Sequence, residues 1–290
     1  MARTLPVAFL NGHYISAHDA RISPFDRGFL FGDGVYEVMP VYAGRIFRLT
    51  EHLARLQASC DAIRLANPHS AADWRALLET LVHKNGGGEQ ALYLQVTRGA
   101  PEERDHLFPR DVPPTVFAFC WELAAPPEWM HREGIAAVTI PDIRWQRCDI
   151  KATTLLGNVL LRQEAADRGA HEAILVRGDR AVEGTAMSLF VVHDGVMTTP
   201  PKGNELLPGI TRDVVLELAS DNDLPWREEA VTLDRLFSAD EIWLTSTTRE
   251  VLPVTRLNGK PVGTGVPGPY WRRMHELFQR HKAEFLDAAA

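Results

Sequence analysis

The sequence has few cysteines and no excess of positive charge. Three cysteines occur among 290 residues, at Cys60, Cys120 and Cys148. Because their number is odd and their spacing is wide, we expect reduced thiols instead of a disulfide framework. Acidic residues outnumber basic ones by 38 to 31, and the net charge is -7. A general nucleic-acid-binding protein usually has a basic face, so the composition argues against that class.

Long apolar runs are also lacking. Charged residues interrupt every apolar stretch within about ten residues, whereas a membrane span needs roughly 20 apolar residues. The first residues contain no apolar signal core followed by a small-residue cleavage site. We therefore expect a cytoplasmic protein with no membrane association.

Several catalytic signatures are absent. The chain contains no Gly-x-Ser-x-Gly motif, and no cysteine pair has metal-ligand spacing. His275-Glu276 is not followed by a second histidine at the zinc-protease spacing. Residues 263–268 match the dinucleotide glycine pattern, but too little chain follows them for the required βαβ unit. No metal site is expected.

Hydrophobic periodicity predicts an α+β protein with two domains. The proline-containing stretch at residues 123–128 is the predicted linker, between a small domain at 1–122 and a larger one at 129–290. Strands are expected at 7–15 (a hairpin), 35–42, 45–49, 91–98, 115–121, 136–140, 173–176, 189–192 and 241–245. Helices are expected around 49–60, 74–81, 155–168, 211–220 and 270–286.

Lys151 is the first candidate for chemistry. It lies between a strand-like run and a helix-like run, and an amine attacks a carbonyl only when it is neutral. Burial or neighbouring cations such as Arg144 and Arg147 would lower the pKa of a lysine. For a lone lysine, a solvated position at the end of an element is the ordinary alternative.

Two segments could donate hydrogen bonds to a phosphate. Residues 208–211 precede a helical run, so their backbone N–H groups and the helix dipole could bind an anion. Alternatively, Thr211 is simply an N-cap in a turn. Residues 246–248 place three hydroxyls after a strand-like run, a common arrangement with no necessary function.

Two further segments carry candidate charges. Glu183 lies between strands, where a buried carboxylate would need a cationic or hydrogen-bonding partner. Arg104 and His106 could bind one carboxylate together. The alternatives are an exposed turn glutamate and a solvated charged loop.

The order of these segments carries more information than any one of them. Lys151, Glu183-Gly184, the 208–211 loop and the 246–248 hydroxyls follow His52-Leu-Ala-Arg55-Leu along the chain. This order resembles the class IV (fold type IV) aminotransferases, which use pyridoxal phosphate (PLP), from about residue 7 to the final helix. The resemblance implies a small N-terminal α/β domain and a larger C-terminal domain with a β-barrel-like core.

The resemblance also implies a role for each candidate. Lys151 would hold PLP covalently and move a proton, and Glu183 would keep the pyridine nitrogen protonated. Leu207 would pack on the ring. The phosphate would be held by Arg55, Ile210, Thr211, Ser246 and Thr247. The substrate would contact Tyr36, Val38, Arg104, His106 and Thr248.

Within the family, the resemblance is strongest to members that act on D-amino acids. Residues 31–38, 95–99, 142–151 and 209–215 contribute to it, and the Arg104-x-His106 pair is its most specific feature. It implies transfer of an amino group from a D-amino acid such as D-alanine to a 2-oxo acid such as 2-oxoglutarate, which gives D-glutamate. It further implies a homodimer in which Arg104 and His106 reach the neighbouring subunit.

Other activities on the same scaffold stay open. These are an L-branched-chain or (R)-amine transaminase, an aminodeoxychorismate lyase-like PLP enzyme, and a non-catalytic small-molecule-binding protein. Pro40 departs from the expected pattern because proline removes a backbone donor and stiffens a strand. The size and polarity of the side-chain pocket are therefore undetermined.

Overall fold

The computed structural model describes residues 3–287, and the chain forms two compact units. The first unit contains the residues up to Ala124 together with Ile150–Leu155, and the second contains Ala125–Asp149 and the residues from Leu156 onward. The predicted C-terminal domain included residues 150–155, whereas their contacts lie in the first unit. Ile150 and Ala152 are buried in the core of that unit, which explains the difference.

The first unit is a six-stranded sheet with two long helices. Its elements are β1 Thr4–Leu10, β2 His13–Ser16, a 3-10 turn at Ala17–Asp19, α1 Arg27–Phe31, β3 Gly34–Tyr42, β4 Arg45–Ile46, α2 Leu49–Ala62, α3 Ala71–Lys84, β5 Gln90–Thr97 and β6 Thr115–Glu122. The strand order is β2-β1-β6-β5-β3-β4, and each pairing is antiparallel. Apolar residues of the sheet and of both long helices form one buried cluster.

Local sequence explains several boundaries in this unit. Asn11 and Gly12 both have positive φ, at 45° and 92°, as the tight turn of a two-residue hairpin requires. Ser70 and Asp73 form a capping box that starts α3, with side-chain and backbone groups satisfying each other. Strand β3 continues through Pro40, whose carbonyl accepts a hydrogen bond from the Phe47 amide at 2.9 Å.

The second unit contains a closed barrel. Its elements are α4 Glu128–Arg132, β7 Ile135–Pro141, α5 Leu156–Asp167, β8 Glu172–Arg177, β9 Arg180–Gly184, β10 Ser188–His193, β11 Val196–Thr199, α6 Ile210–Asp221, β12 Trp226–Glu228, β13 Val231–Thr232, α7 Leu233–Phe237, β14 Glu241–Ser246, β15 Glu250–Leu257, β16 Lys260–Pro261 and α8 Pro269–Asp287. Strands β10-β14-β15-β7-β8-β9 form a ring, because β9 also pairs with β10. Apolar side chains from all six strands join one buried cluster.

The predicted fold class is confirmed, including the barrel-like core of the C-terminal part. Helices α5, α6 and α8 lie where periodicity placed them. Within residues 3–287, every helix is too short or too polar to cross a bilayer.

Candidate active site

The backbone of Lys151 is fixed within the first unit. Its carbonyl accepts a hydrogen bond from the Tyr36 amide at 2.9 Å, and its amide donates to the Ser59 hydroxyl at 3.2 Å. The half-buried side chain places Nζ 4.2 Å from the centre of the Tyr36 ring. Lys151 is therefore held between β3 and α2, and the solvated alternative does not describe it.

Strand β3 presents different residues on its two faces. Tyr36 and Val38 are half-buried and lie on one face, whereas Val35, Glu37 and Met39 are buried on the other. Tyr36 also stacks on Tyr93 of β5, with ring centres 5.5 Å apart. Two predicted substrate contacts thus share the face on which Lys151 lies above Tyr36.

The buried face of β3 holds an ionic cluster. Glu37 accepts hydrogen bonds from Arg55 Nε at 2.7 Å and Nη2 at 2.8 Å, and its carboxylate lies 2.8 Å from His52 Nδ1. Glu37 and His52 are almost completely buried. The His-x-x-Arg motif of α2 thus places both of its polar side chains on one carboxylate of the neighbouring strand.

Charge balance governs protonation in this cluster. Burial alone would raise the pKa of Glu37, but the Arg55 guanidinium and the His52 hydrogen bond hold it well below its usual range. Burial lowers the pKa of His52, Glu37 opposes that effect, and the charges of Arg55 and Lys151 add to it. The arrangement favours a charged Glu37–Arg55 pair beside a neutral histidine.

Arg104 and His106 lie on an exposed loop of the first unit. The Phe31 ring lies 4.8 Å from the Arg104 guanidinium and 5.3 Å from the His106 ring. These contacts differ from those of Tyr36, which are with Tyr93 and Lys151. Within one chain, the predicted carboxylate-binding residues therefore occupy two separate environments.

In the second unit, Glu183 is a buried carboxylate that accepts hydrogen bonds from a side chain and from a backbone amide. Arg144 Nη1 donates to its Oε1 at 2.6 Å, and the Leu207 amide lies 3.2 and 3.3 Å from its two oxygens. Burial raises the pKa of Glu183, while the Arg144 charge and the Leu207 amide oppose this rise. The alternative of an exposed turn glutamate is excluded.

Arg144 belongs to a longer ionic chain. Asp142 accepts from Arg144 Nε and Nη2, each at 3.0 Å, and from Arg177 Nε at 2.7 Å. Sequence reasoning offered Arg144 and Arg147 as cations beside Lys151. Their guanidinium groups are paired with carboxylates instead: Arg144 with Asp142 and Glu183, and Arg147 with Asp149 at 2.9 Å.

Ser188 lies next to one predicted cofactor contact, Glu183, and next to two residues that directly precede others, Thr245 and Gly209. It pairs with Glu183 of β9 on one side and with Thr245 of β14 on the other. A Cβ atom added to Gly209 would lie 2.5 Å from the Ser188 hydroxyl, so the loop before α6 approaches this strand closely. We call this arrangement of Glu183, Ser188, Thr245 and Gly209 the Ser188 junction.

The segments that adjoin the Ser188 junction place hydrogen-bond donors for an anion in the same region as the Glu183 carboxylate. Helix α6 starts directly after Gly209, and the first N–H groups of a helix have no acceptor within it. Ile210 and Thr211 supply these amides, so Thr211 is not the N-cap. Strand β14 ends at Ser246, and Thr247 and Thr248 form the half-buried turn to β15. Such a set of donors fits a phosphate, and Glu183 fits a protonated ring nitrogen.

Sequence reasoning missed Glu37, Asp142 and Ser188. Glu37 and Asp142 belong to quoted motifs, but no pattern reveals which strand face meets which helix. Ser188 is small, and its importance comes from its position between two strands. Among residues 3–287, no group of three or more histidine, cysteine or acidic side chains lies close enough to bind a metal.

Comparison with known proteins gives concordant matches. The model of the family "Amino-transferase class IV" matches residues 34–257. D-alanine aminotransferase of Staphylococcus aureus (strain COL) is 41% identical over 274 residues, which cover 94% of this chain and 96% of the relative. D-alanine aminotransferase of Bacillus licheniformis is 42% identical over 270 residues, covering 93% and 94%.

Solved structures show the same architecture. A branched-chain amino acid aminotransferase of Escherichia coli superposes with a TM-score of 0.88 at 26% identity, covering 94% of this chain and 93% of that one. A branched-chain amino acid aminotransferase of T.th. with pyridoxamine 5'-phosphate also gives 0.88, at 27% identity, covering 96% and 94%.

Proposed function

The chain belongs to the class IV aminotransferase family, and from this premise we propose that it transfers the amino group of a D-amino acid such as D-alanine to 2-oxoglutarate. The products are the 2-oxo acid of the donor and D-glutamate. Sequence identity above 40% with D-alanine aminotransferases over almost the whole chain supports this substrate class.

The Ser188 junction is the observation that carries the cofactor assignment. One buried carboxylate, the first amides of a helix and a turn of hydroxyls are what a phosphorylated pyridine requires. Class IV aminotransferases are PLP enzymes, and PLP, when bound, supplies an aldehyde for covalent attachment and a ring that accepts electrons. Ile210, Thr211, Ser246 and Thr247 would bind the phosphate, with Leu207 against the ring.

Lys151 and Glu183 are the proposed catalytic residues. Lys151 holds the cofactor through Nζ and then moves the proton that the substrate loses at Cα. Its backbone is held by hydrogen bonds with the Tyr36 amide and the Ser59 hydroxyl, and its Nζ lies 4.2 Å from the centre of the Tyr36 ring, a proposed substrate contact. Glu183 keeps a proton on the ring nitrogen, and Arg144 and the Leu207 amide hold its carboxylate in place.

The remaining roles concern phosphate and substrate. Arg55 joins the phosphate ligands, with Glu37 holding its guanidinium. Tyr36, Arg104 and His106 bind the substrate carboxylate, since a guanidinium offers two parallel donors to it. Val38 and Thr248 border the side-chain pocket.

We also propose a homodimer and a cytoplasmic location. Phe25, Phe29 and Leu107 are large apolar side chains of the first unit that are 59%, 75% and 76% exposed. In the proposed homodimer, a second copy would cover these side chains. The three cysteines are buried free thiols, which suits a reducing compartment.

A donor screen tests the proposal. D-alanine, L-alanine, L-leucine and (R)-1-phenylethylamine are each offered with 2-oxoglutarate, and the glutamate formed is resolved by chiral chromatography. We expect D-alanine to give the highest kcat/KM and D-glutamate to be the product. Higher kcat/KM with L-leucine would favour the branched-chain alternative, which the structural neighbours represent. Preference for the amine, or a product of L-glutamate, would likewise refute D-selectivity.

A further inference from the structure

Arg27 binds the backbone of the loop that carries Arg104 and His106. Its Nη1 donates to the carbonyls of Asp105 at 2.5 Å and Leu107 at 3.2 Å. Its Nη2 donates to the carbonyl of His106 at 3.3 Å. A side chain of α1, distant by almost 80 positions in sequence, thus holds three consecutive peptide groups of an otherwise exposed loop.

Arg27 is itself held in place. It is buried, with 4% of its surface exposed, and its Nε donates to Asp33 Oδ2 at 2.8 Å. The same carboxylate accepts from Arg98 Nε at 2.9 Å and Nη2 at 3.0 Å, and Arg98 also binds the carbonyls of Ile63 and Arg64. Asp33 and Arg98 thus connect Arg27 to the end of α2 through charge-assisted hydrogen bonds.

One aromatic ring connects the anchor to the side chains of the loop. The Phe31 ring lies 4.9 Å from the Arg27 guanidinium, and the same ring contacts Arg104 at 4.8 Å and His106 at 5.3 Å. Arg104 and His106 are exposed, so their own packing restricts them little. The direction in which they point therefore depends on the backbone that Arg27 fixes.

We infer that Arg27 is a positioning residue for substrate specificity: it shapes the 104–107 loop so that Arg104 and His106 together receive the substrate carboxylate. This inference rests on the proposed function of those two residues. A flexible loop would lose conformational entropy at each binding event, whereas a preformed loop does not. A lysine at position 27 would keep the charge but could not supply the planar fork that reaches three carbonyls.

The test is a double-mutant cycle on the holoenzyme with D-alanine and 2-oxoglutarate. Arg27→Lys is combined with Arg104→Ala, and KM, kcat, thermal midpoint and bound-cofactor absorbance are recorded for each variant. Arg21→Lys is the matched control, because Arg21 also donates to backbone carbonyls, those of His18 and Ala20. We expect Arg27→Lys to raise the KM for D-alanine about tenfold, with a smaller change in kcat. It should have little further effect in the Arg104→Ala background.

Additive losses in the double variant, or an unchanged KM in Arg27→Lys, would overturn the positioning role and leave the transaminase activity standing. A KM change of the same size in Arg21→Lys would also overturn it. A wild-type holoenzyme that does not turn over D-alanine would instead refute the proposed function, and this inference with it.

Discussion

At the scale of single residues, the geometry of Lys151 differs from that of Lys202 and Lys260. Its backbone carbonyl and its backbone amide both form hydrogen bonds, and its amine lies over the Tyr36 ring. Lys202, by contrast, is an exposed lysine paired with Asp213 at 2.8 Å, and Lys260 is exposed in the short strand β16. Lys151 is therefore the lysine that we propose as the attachment point.

Borohydride reduction should fix the cofactor on Lys151. Peptide mass analysis after reduction is expected to find the pyridoxyl mass on that residue, because its backbone is held in place beside Tyr36. Lys151→Ala should lose the adduct, whereas Lys202→Ala, the control, should keep it. An adduct that persists in Lys151→Ala would reject the assignment.

The residues of the proposed site could be named from the sequence, because the order of the motifs along the chain can be recognised without knowledge of the fold. The partners of those residues were not predictable. That Glu37 would bind both His52 and Arg55 depends on which face of β3 meets α2, and single-sequence patterns do not encode that. Likewise, the pairing of Arg144 with Glu183 joins residues 39 positions apart.

At the scale of elements, the start of α6 depends on a close approach. Gly209 lies so near β10 that a Cβ atom would meet the Ser188 hydroxyl at 2.5 Å. Its φ of -72° suits any residue, so contact, and not backbone strain, requires glycine here. Either the hydroxyl rotates or the helix start moves outward when a methyl group is added.

We expect Gly209→Ala to weaken PLP binding about tenfold, which corresponds to about 1.4 kcal/mol. The reason is that both ways of relieving the contact disturb the Ser188 junction. The dissociation constant can be measured by fluorescence titration of the apo-protein. Gly203→Ala is the matched control in the same loop, since nothing lies within 4 Å of its added Cβ. Equal affinity in the two variants would contradict the proposed phosphate site.

Elements with clear periodicity were predicted, and those without it were missed. Helices α2 and α3 carry apolar stripes, and their positions agree with the prediction. Strand β15 was missed because seven of its eight residues are buried, so it lacks alternation, and Pro253 reads as a strand breaker. Strands β12, β13 and β16 have two or three residues each, too short for any pattern.

At the scale of the whole molecule, one buried and three half-buried histidines link stability to pH. Burial lowers the pKa of His52, His131, His171 and His275, most of which lie in the second unit. Between the folded and unfolded pKa values, the unfolded chain binds more protons than the folded one. The free energy of unfolding therefore falls as the pH drops through the unfolded value near 6.5. Glu183 has the opposite effect on the free energy of unfolding. Because its pKa is raised in the folded state, its contribution to stability falls as the pH rises.

Urea unfolding between pH 8 and pH 5.5, at fixed cofactor concentration, should show stability decreasing toward low pH. His275→Gln is expected to reduce the slope, by at most about 1.4 kcal/mol per pH unit, because one differential proton is removed. His13→Gln, a change at an exposed histidine, is the control and should leave the slope unchanged. Parallel slopes for all three proteins would show that His275 does not contribute.

The discontinuity of the first unit has a consequence for synthesis. Its core includes Ile150 and Ala152, which a ribosome adds only after the first barrel strand, β7, has been made. A nascent chain ending at Ala124 therefore exposes apolar surface that its own residues cannot cover, a state in which chains tend to aggregate. The core of the unit is completed only when the segment that carries Lys151 has been synthesised, so the same few residues complete the core and supply the amine proposed to hold the cofactor. Polypeptides released before residue 150 would thus lack both the segment that completes this core and the lysine proposed to hold the cofactor.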